Sequence, residues 1–348
     1  MFADMRLRDP VGVLLATGLV LTGSSSSKGL LRPAPELRVA AGYAAERYAT
    51  GLTRPTAMAF GPDGRLYVAQ EAGQIVVVGV GSAKPRVLAR GFHEPLGIAW
   101  SGPRLFVSSR GRLDSLNLIG KELRARRTLL KGLPNGRHQQ DNVVVGGDGR
   151  LYLGSGSTCD VCKEKDARSA TILSVLPNGR GLRIVAKGVR NPYGLAFQPG
   201  TGRLYATVNG RDDLGDSEPA ELLVQVSQGR KFGWPSCWPS WARKRLAGTG
   251  CAGVTPPAAY LEPRSGAGGI AFARDGRTAF VALWGQYFGR KHGRTVVRLT
   301  FDAEGRVTGQ QVFARGFDHP LAVLVARDGA LLVSDWGTGR IYRIAGKA

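Results

Sequence analysis

A two-part motif recurs six times along this chain of 348 residues. Each copy has a polar hinge, a short apolar run, a turn and a second apolar run. The copies begin at Arg54, Glu94, Gln139, Asn191, Gly268 and His319. Short apolar runs separated by turns indicate β-strands, and repetition at this spacing is typical of a radial array of sheets. The repeat therefore predicts one ring-shaped domain over residues 31–348.

The segments between the copies also resemble one another. ERYATGLTRP, PRVLARGFHEP and QQVFARGFDHP each place an apolar strand before a glycine and a polar hinge. Each unit then has four antiparallel strands, called a to d from the hinge onward, which is one blade of an all-β, six-bladed propeller. The last unit lacks strand d, and residues 44–50 precede the first. We expect this N-terminal segment to complete the last blade and close the ring.

Residues 1–30 differ in kind from the rest of the chain. Arg6 and Arg8 precede an apolar run over 11–21, and four serines follow it. This order is typical of a secretory signal, and the run is too short to span a bilayer. The alternative is an apolar N-terminus without a targeting role. We predict a periplasmic or secreted protein with no stable membrane insertion of the mature chain.

Four cysteines suit an exported protein as two disulfides. We predict the local pairs Cys159–Cys162 and Cys237–Cys251, although four cysteines allow three connectivities. A redox CxxC motif and a zinc site are the alternatives. The first needs a helix after a strand, and the second needs close spacing in both pairs.

The formal net charge of +22 raises the question of an anionic partner. The basic residues are scattered among turns instead of forming one stripe, and no nucleic-acid-binding motif is present. We therefore expect no nucleic acid partner.

In a propeller, strand a lines the central channel, and the hinges share one face with the loops between strands b and c. Alignment of the copies places the following hinge residues in one circle: Thr53, His93, His138, Arg190, Ser265 and Asp318, with Arg54, Glu94, Gln139, Asn191, Gly266 and His319 beside them. Three of the four histidines lie there. Polar loop residues on a rigid scaffold commonly carry function, so we expect the site on this face.

Two of the b-to-c loops are distinctive. The blade-4 loop, residues 209–216, contains Gly210, Arg211, Asp212 and Asp213, and its oxygens suggest a calcium site. The alternative is that the aspartates only cap turns. The blade-5 loop offers Trp284 and Tyr287 for stacking on a flat cofactor.

Several motifs together resemble a known family. They are His138 ahead of an a strand with a DGRLY turn, RNPYGLAF from Arg190, NGRD from Asn209 and GRKFGWP from Gly229. Their order over residues 45–345 resembles the soluble glucose and sorbosone dehydrogenases that depend on pyrroloquinoline quinone (PQQ), and the related pyranose dehydrogenase domains.

The resemblance implies a role for each matching residue. His138 is the expected general base, Arg190 stabilises charge on the quinone, and Asn191 bonds the cofactor. The carbonyls of Gly210 and Arg211 are the expected calcium ligands, with Asp212 and Asp213 in the same loop. Arg54, Trp284 and Tyr287 are further candidates for cofactor contact. A sugar substrate and a small electron acceptor, a cytochrome or a quinone, are the implied partners.

Two positions depart from the family pattern. Ser157 stands where relatives have a carboxylate that orients the histidine, so Asp141, Asp160 or a water is expected to orient His138. The last hinge reads Asp318-His319-Pro320 where relatives offer arginines for the cofactor carboxylates, and Arg54, Arg290 and Lys291 are the candidates to replace them.

Two other functions remain open on sequence alone. A propeller lactonase would hold a divalent metal with carboxylates and activate water. A non-catalytic propeller would bind a glycan or peptide on the same rim.

Overall fold

The structure is a computed structural model that describes residues 31–287 and 289–347. These residues form the β-strands β1–β29 and no helix. The predicted secretory segment, residues 1–30, lies outside the described residues. Within them, no helix has the length and apolar character needed to cross a membrane.

The strands are numbered in chain order. The first eleven are β1 (Arg32–Pro33), β2 (Arg38–Val39), β3 (Tyr43–Ala49), β4 (Pro55–Phe60), β5 (Leu66–Gln70), β6 (Gln74–Val78), β7 (Arg86–Arg90), β8 (Gly97–Ser101), β9 (Arg104–Ser109), β10 (Arg112–Ile119) and β11 (Glu122–Lys131). The next eleven are β12 (Gln140–Val145), β13 (Leu151–Ser155), β14 (Thr171–Val175), β15 (Arg183–Lys187), β16 (Leu195–Phe197), β17 (Leu204–Val208), β18 (Glu221–Val226), β19 (Arg230–Lys231), β20 (Cys237–Ser240), β21 (Arg245–Gly248) and β22 (Ala259–Leu261). The last seven are β23 (Ala267–Phe272), β24 (Thr278–Leu283), β25 (Thr295–Phe301), β26 (Val307–Arg315), β27 (Pro320–Val325), β28 (Leu331–Asp335) and β29 (Arg340–Gly346).

The strands assemble into six blades, as predicted. Blade 1 is β4–β7, blade 2 is β8–β11, blade 3 is β12–β15, blade 4 is β16–β18 with β22, blade 5 is β23–β26, and blade 6 is β27–β29 with β3. Short outer strands extend blade 3 (β19), blade 5 (β2) and blade 6 (β1). Strands β20 and β21 form a separate hairpin inserted before the last strand of blade 4. The fold is therefore a six-bladed β-propeller.

The ring is closed by the N-terminal segment, as the sequence predicted. Strand β3 pairs with β29 in antiparallel register from Ala49 opposite Ile341 to Tyr43 opposite Gly346. Arg343 also contacts Glu46 across this pairing at 3.1 Å. Strands β3 and β29 thus belong to one blade, and β29 is paired on both of its sides.

The buried apolar side chains of the described residues form six clusters, one at each contact between neighbouring blades. Between blades 1 and 2, for example, Tyr67 lies edge-on to Trp100 with ring centroids 4.8 Å apart. Each cluster combines side chains from two blades, because one face of a single sheet cannot be buried by that sheet alone. Loss of one blade contact therefore exposes apolar surface on both of its partners.

The DGRLY motif is a turn whose aspartate is bonded to the next strand. In blade 1, Asp63 accepts a hydrogen bond from the Arg65 amide at 3.1 Å and another from the Tyr67 hydroxyl at 2.9 Å. Gly64 adopts φ +76°, which favours glycine. Blade 3 repeats the arrangement with Asp148 and Tyr152. In these two blades the motif thus connects strand a to strand b and holds a tyrosine that packs against the core.

We predict that deletion of residues 44–50 lowers the melting temperature by about 10 °C or more, because several kcal/mol of strand pairing and blade contact are lost. Thermal unfolding followed by circular dichroism measures the change. Arg243→Ala, an exposed site in the β20–β21 hairpin, should shift the melting temperature by about 1 °C or less. An unchanged melting temperature after the deletion would show that β3 does not close the ring.

Candidate active site

In every blade, the hinge before strand a is hydrogen-bonded to the loop between strands b and c. The backbone amides of Glu71, Arg110, His138, Asn209, Trp284 and Trp336 donate, in that order, to the carbonyls of Arg54, His93, Ser157, Asn191, Gly266 and His319, at 2.8 to 3.0 Å. The hinges and these loops therefore share one face of the ring, as expected from the alignment.

His138 is held in place by the backbone of the blade-3 loop. Its amide donates to the carbonyl of Ser157 at 3.0 Å. A Cβ atom at Gly156 would lie 2.4 Å from the Cβ of His138, so only glycine allows this approach. The Nε2 atom of His138 is shielded from solvent and has no hydrogen-bond partner among the described residues. One imidazole nitrogen is therefore available to a ligand.

The charge state of His138 is fixed by its surroundings. Burial, followed by the positive charges of Arg190 and Arg137, lowers the pKa of His138 to about 3. The imidazole is thus neutral near pH 7 and can accept a proton.

Arg190 is buried between two carboxylates. Its side chain is 3% exposed, and its Nη2 lies 2.6 Å from Asp160 and 2.8 Å from Asp212. The Nε also donates to the side chain of Asp160 at 3.0 Å. Asp212 is shared further with Arg137 and Arg264. Burial raises the pKa of Asp212, but the charge of Arg190 and those of Arg264 and Arg137 outweigh it and hold this pKa below its usual range.

The residues expected to orient His138 have other contacts. Asp160 binds Arg190, and the Ser157 hydroxyl donates to the carbonyl of Cys159 at 2.7 Å. Burial raises the pKa of Asp141, and its Oδ2 has no hydrogen-bond partner among the described residues. Among those residues, no carboxylate hydrogen-bonds His138, which leaves a water as the remaining candidate of the three.

Three amide oxygens near His138 and Arg190 lack partners among the described residues. They are Gln139 Oε1, Asn191 Oδ1 and Asn209 Oδ1, and all three are buried. Asn191 and Asn209 are bridged through their backbones. Buried polar atoms are normally hydrogen-bonded. A ligand with hydroxyl groups, or a hard cation, would satisfy these oxygens.

The four predicted metal-loop residues, 210–213, are adjacent, but they differ in which oxygen atoms are free to bind a metal ion. The Gly210 amide donates to Glu221 at 2.6 Å, and the side chains of Arg211 and Asp213 pair with each other. The Asp212 carboxylate forms ion pairs with three arginines. In the described part of the chain, the carbonyls of Gly210 and Arg211 accept no hydrogen bond. Carbonyl oxygens, and not the carboxylates, are therefore the ligands that this loop leaves free.

Among the described residues, histidine, cysteine and acidic ligand atoms cluster in a group of three or more at one place, Cys159, Cys162 and Glu164. These two cysteines form a disulfide, so their sulfur atoms are not free to bind a metal ion. Cys237 and Cys251 form the other disulfide. Both pairings were predicted, and no free cysteine remains among the described residues.

The end of the central channel on the face that carries the hinges is called the mouth. An aromatic wall lies on the side of the mouth formed by blades 5, 6 and 1. Trp284 contacts His319, Trp336 and Tyr287, with ring centroids 4.2, 5.6 and 6.4 Å apart. The Arg54 guanidinium lies over Trp336 at 4.8 Å. Trp284, Tyr287 and Arg54 were predicted site residues, whereas Trp336 was missed. The signal for Trp336 was its position after strand b of blade 6, which matches Trp284 in blade 5.

Positive charge at the last hinge comes from an arginine that sequence reasoning missed. Arg294 donates to Asp318 at 2.8 Å and contacts the Nε2 of His319 at 3.2 Å. Burial, with the charge of Arg294, lowers the pKa of His319. Arg290 and Lys291, the candidates from sequence, have exposed side chains. Arg294 therefore joins Arg54 as a cation on this side of the mouth.

Glu221 is another residue that sequence reasoning missed. It lies at the start of β18, buried, and accepts hydrogen bonds from the amides of Gly210 and Gly266 at 2.6 and 3.3 Å. Burial raises the pKa of Glu221 to about 7. One carboxyl thus links the blade-4 loop to the blade-5 hinge. The available signal was a carboxylate at the first position of a mostly apolar strand.

The sequence matches one protein-family model, described as glucose / sorbosone dehydrogenase, over residues 107–343. A protein of Borreliella burgdorferi described as uncharacterized is 23% identical over 88% of this chain and 90% of its own length.

Several solved structures share the fold. The calcium structure of a Trichoderma reesei protein of carbohydrate-active enzyme family AA12 has a TM-score of 0.82 at 18% identity, covering 92% of this chain and 99% of that one. The holo PQQ domain of pyranose dehydrogenase from Coprinopsis cinerea has a TM-score of 0.78 at 20% identity, covering 90% and 98%. The PQQ-bound aldose sugar dehydrogenase from Streptomyces coelicolor has 0.69 at 21% identity, covering 88% and 99%. At these identities the likeness shows a common fold.

The depressed pKa of His138 predicts how stability depends on pH. An unfolded histidine takes up a proton near pH 6.5, whereas the folded protein keeps His138 neutral until about pH 3, so this group lowers stability as pH falls between these values. The free energy of unfolding is measured with urea at several pH values. Between about pH 6 and pH 4, His138→Gln should reduce the slope of this free energy against pH by an amount that corresponds to up to about one bound proton. Above about pH 7.5 the difference between the two proteins should be constant. Parallel curves throughout would contradict the assigned charge state.

Proposed function

The chain belongs to the glucose/sorbosone dehydrogenase family, and from that premise we propose that it oxidises a sugar with PQQ as cofactor, calcium as metal ion and His138 as general base. The observation that carries the proposal is the position of His138 beside Arg190. At one corner of the channel mouth, an unpartnered imidazole nitrogen meets a buried guanidinium and three unsatisfied amide oxygens.

The residues around the mouth suit an anionic, flat cofactor with several oxygens. Arg190, Arg54 and Arg294 supply positive charge from three blades, and Asn191 supplies an amide. Trp284 and Tyr287 supply aromatic rings from blade 5, next to blade 4. In this proposal the residues that would hold the cofactor are Arg190, Asn191, Arg54, Trp284 and Tyr287.

For calcium, the proposal relies on oxygens that are not already paired. The carbonyls of Gly210 and Arg211 are the first candidates, and Asn191 and Asn209 offer buried amide oxygens nearby. Calcium takes six to eight oxygen ligands, and backbone and amide carbonyls are common among them. Asp212 and Asp213 are paired with arginines, so in this proposal they do not ligate the ion directly.

His138 carries the proton transfer. Its neutral Nε2 accepts the proton of the sugar hydroxyl while the hydrogen on the same carbon leaves as hydride. Bound PQQ supplies the acceptor for that hydride. The guanidinium of Arg190 stabilises negative charge that develops beside it. Binding of an anion next to Arg190 and Arg137 would also raise the pKa of His138, because it offsets charges that lower this pKa.

The two electrons leave through a small acceptor, a cytochrome or a quinone, in this proposal. We also propose a periplasmic or secreted location, which the two disulfides support because such bonds persist in oxidising compartments.

The lactonase alternative has less support. It requires a metal held by side-chain carboxylates in the channel. The hinge carboxylates Glu94 and Asp318 are each paired with an arginine, Arg110 and Arg294. His138 and Arg190 would also have no role in it.

We expect protein incubated with PQQ and calcium to reduce an electron-accepting dye when an aldose or sorbosone-like sugar is added. His138→Ala should lower the rate by about a hundredfold or more, because the general base is lost. His93→Ala, at the equivalent hinge of blade 2, should retain the rate. A chelator of divalent cations should abolish the reaction, and added calcium should restore it. A full rate in His138→Ala, or lactone hydrolysis without quinone, would contradict the proposal.

A further inference from the structure

The contact that orients Arg190 comes from inside a very short disulfide loop. Asp160 lies between Cys159 and Cys162, whose sulfurs are bonded. Its carboxylate and its carbonyl accept three hydrogen bonds from the Arg190 guanidinium, at 2.6, 3.0 and 3.2 Å. Asp212 accepts one, at 2.8 Å. Asp160 is therefore the main partner of Arg190.

Asp212 is not able to replace Asp160 in this role. Its carboxylate is shared among Arg190, Arg137 and Arg264, so three cations compete for two oxygens. Asp212 itself depends on Asp160, because its amide donates to the Asp160 carboxylate at 3.0 Å. Without Asp160, Arg190 would keep one shared contact.

The same loop also supports His138. The Ser157 amide donates to the carbonyl of Arg190 at 2.7 Å, and the Ser157 carbonyl accepts from the His138 amide at 3.0 Å. The Ser157 hydroxyl donates to the carbonyl of Cys159 at 2.7 Å. The indole of Trp234 donates to the carbonyl of Asp160 at 3.0 Å. The disulfide loop therefore contacts Arg190 directly through Asp160, and it contacts His138 indirectly through Ser157.

The disulfide is suited to a local task. It joins residues three apart in sequence, whereas Cys237–Cys251 joins residues fourteen apart. In the chain-entropy account, a shorter loop stabilises the folded state less. The main effect of the Cys159–Cys162 bond is therefore to restrict the position of Asp160, and its effect on the unfolded chain is small.

We propose that Asp160 is the positioning residue for Arg190 and that the Cys159–Cys162 disulfide fixes Asp160 in place. The guanidinium is then already held in one orientation before any ligand arrives, which lowers the entropic cost of binding. The effect on cofactor affinity rests on the proposed function. The positioning of Arg190 by Asp160 and the disulfide does not depend on that function.

The first test needs no cofactor. The protein is treated with phenylglyoxal, which modifies accessible arginines, and the modified sites are found by mass spectrometry. In the wild type, Arg190 should be protected relative to the exposed Arg124. Asp160→Asn and Cys159→Ser/Cys162→Ser should each remove this protection. Arg150, buried in blade 3 and bonded to Ser174, should stay protected and shows that the fold is intact.

Two matched variants serve as controls. Asp166→Asn removes an aspartate of the same loop that pairs with Arg168, and Cys237→Ser/Cys251→Ser removes the other disulfide. Both should leave Arg190 protected. Equal protection of Arg190 in the wild type, Asp160→Asn and the Cys159/Cys162 variant would overturn the proposal.

The second test measures affinity by titrating PQQ, with calcium present, into the same proteins. The Asp160→Asn and Cys159/Cys162 variants should bind about tenfold more weakly or worse, and the controls should match the wild type. Wild-type affinity in both test variants would overturn the link to the cofactor. Failure of the wild type to bind PQQ would count against the proposed function and leave the protection result standing.

Discussion

Pairing of β3 with β29 joins a strand near the start of the propeller to its last strand and turns six sheets into a closed ring. Each blade buries its faces against two neighbours, so a single open contact would expose apolar surface on two blades. Closure also sets the positions of the six hinges around one channel. His138 and Arg190 belong to hinges of adjacent blades, and their separation is therefore fixed by the ring and not by the loops alone.

Electrostatics at the channel mouth follow from that arrangement. Burial, together with the nearby charges of Arg190 and Arg137, lowers the pKa of His138 and keeps its imidazole neutral. The same cations need carboxylate partners, which Asp160 and Asp212 provide. A neutral base beside these arginines is compatible with an anionic cofactor. The carboxylates already hold the arginines in place, so a bound anion would meet positive charge that is fixed in position.

The sequence was informative where a local pattern determines structure. Alternating apolar residues and DGRLY turns predicted the blades, the short final unit predicted ring closure, and both disulfides were predicted from spacing. Contacts between loops were harder to predict, because they depend on how distant segments meet. Asp160 was a candidate to orient His138 and instead binds Arg190. Asp212 and Asp213 were candidate metal-loop carboxylates and are paired with arginines. Arg294, Trp336 and Glu221 carried no family motif, and they became visible only when blades were adjacent.

In the proposed function, a sugar hydrogen passes directly to a quinone bound at this mouth. The most direct measurement is a single-turnover experiment, in which protein loaded with PQQ and calcium is mixed with excess aldose and the quinone absorbance is followed. We predict that the absorbance changes to that of the reduced cofactor, and that the change is slower when the oxidised carbon carries deuterium. Absorbance that stays constant with every sugar tested, or an equal rate with both isotopes, would contradict it.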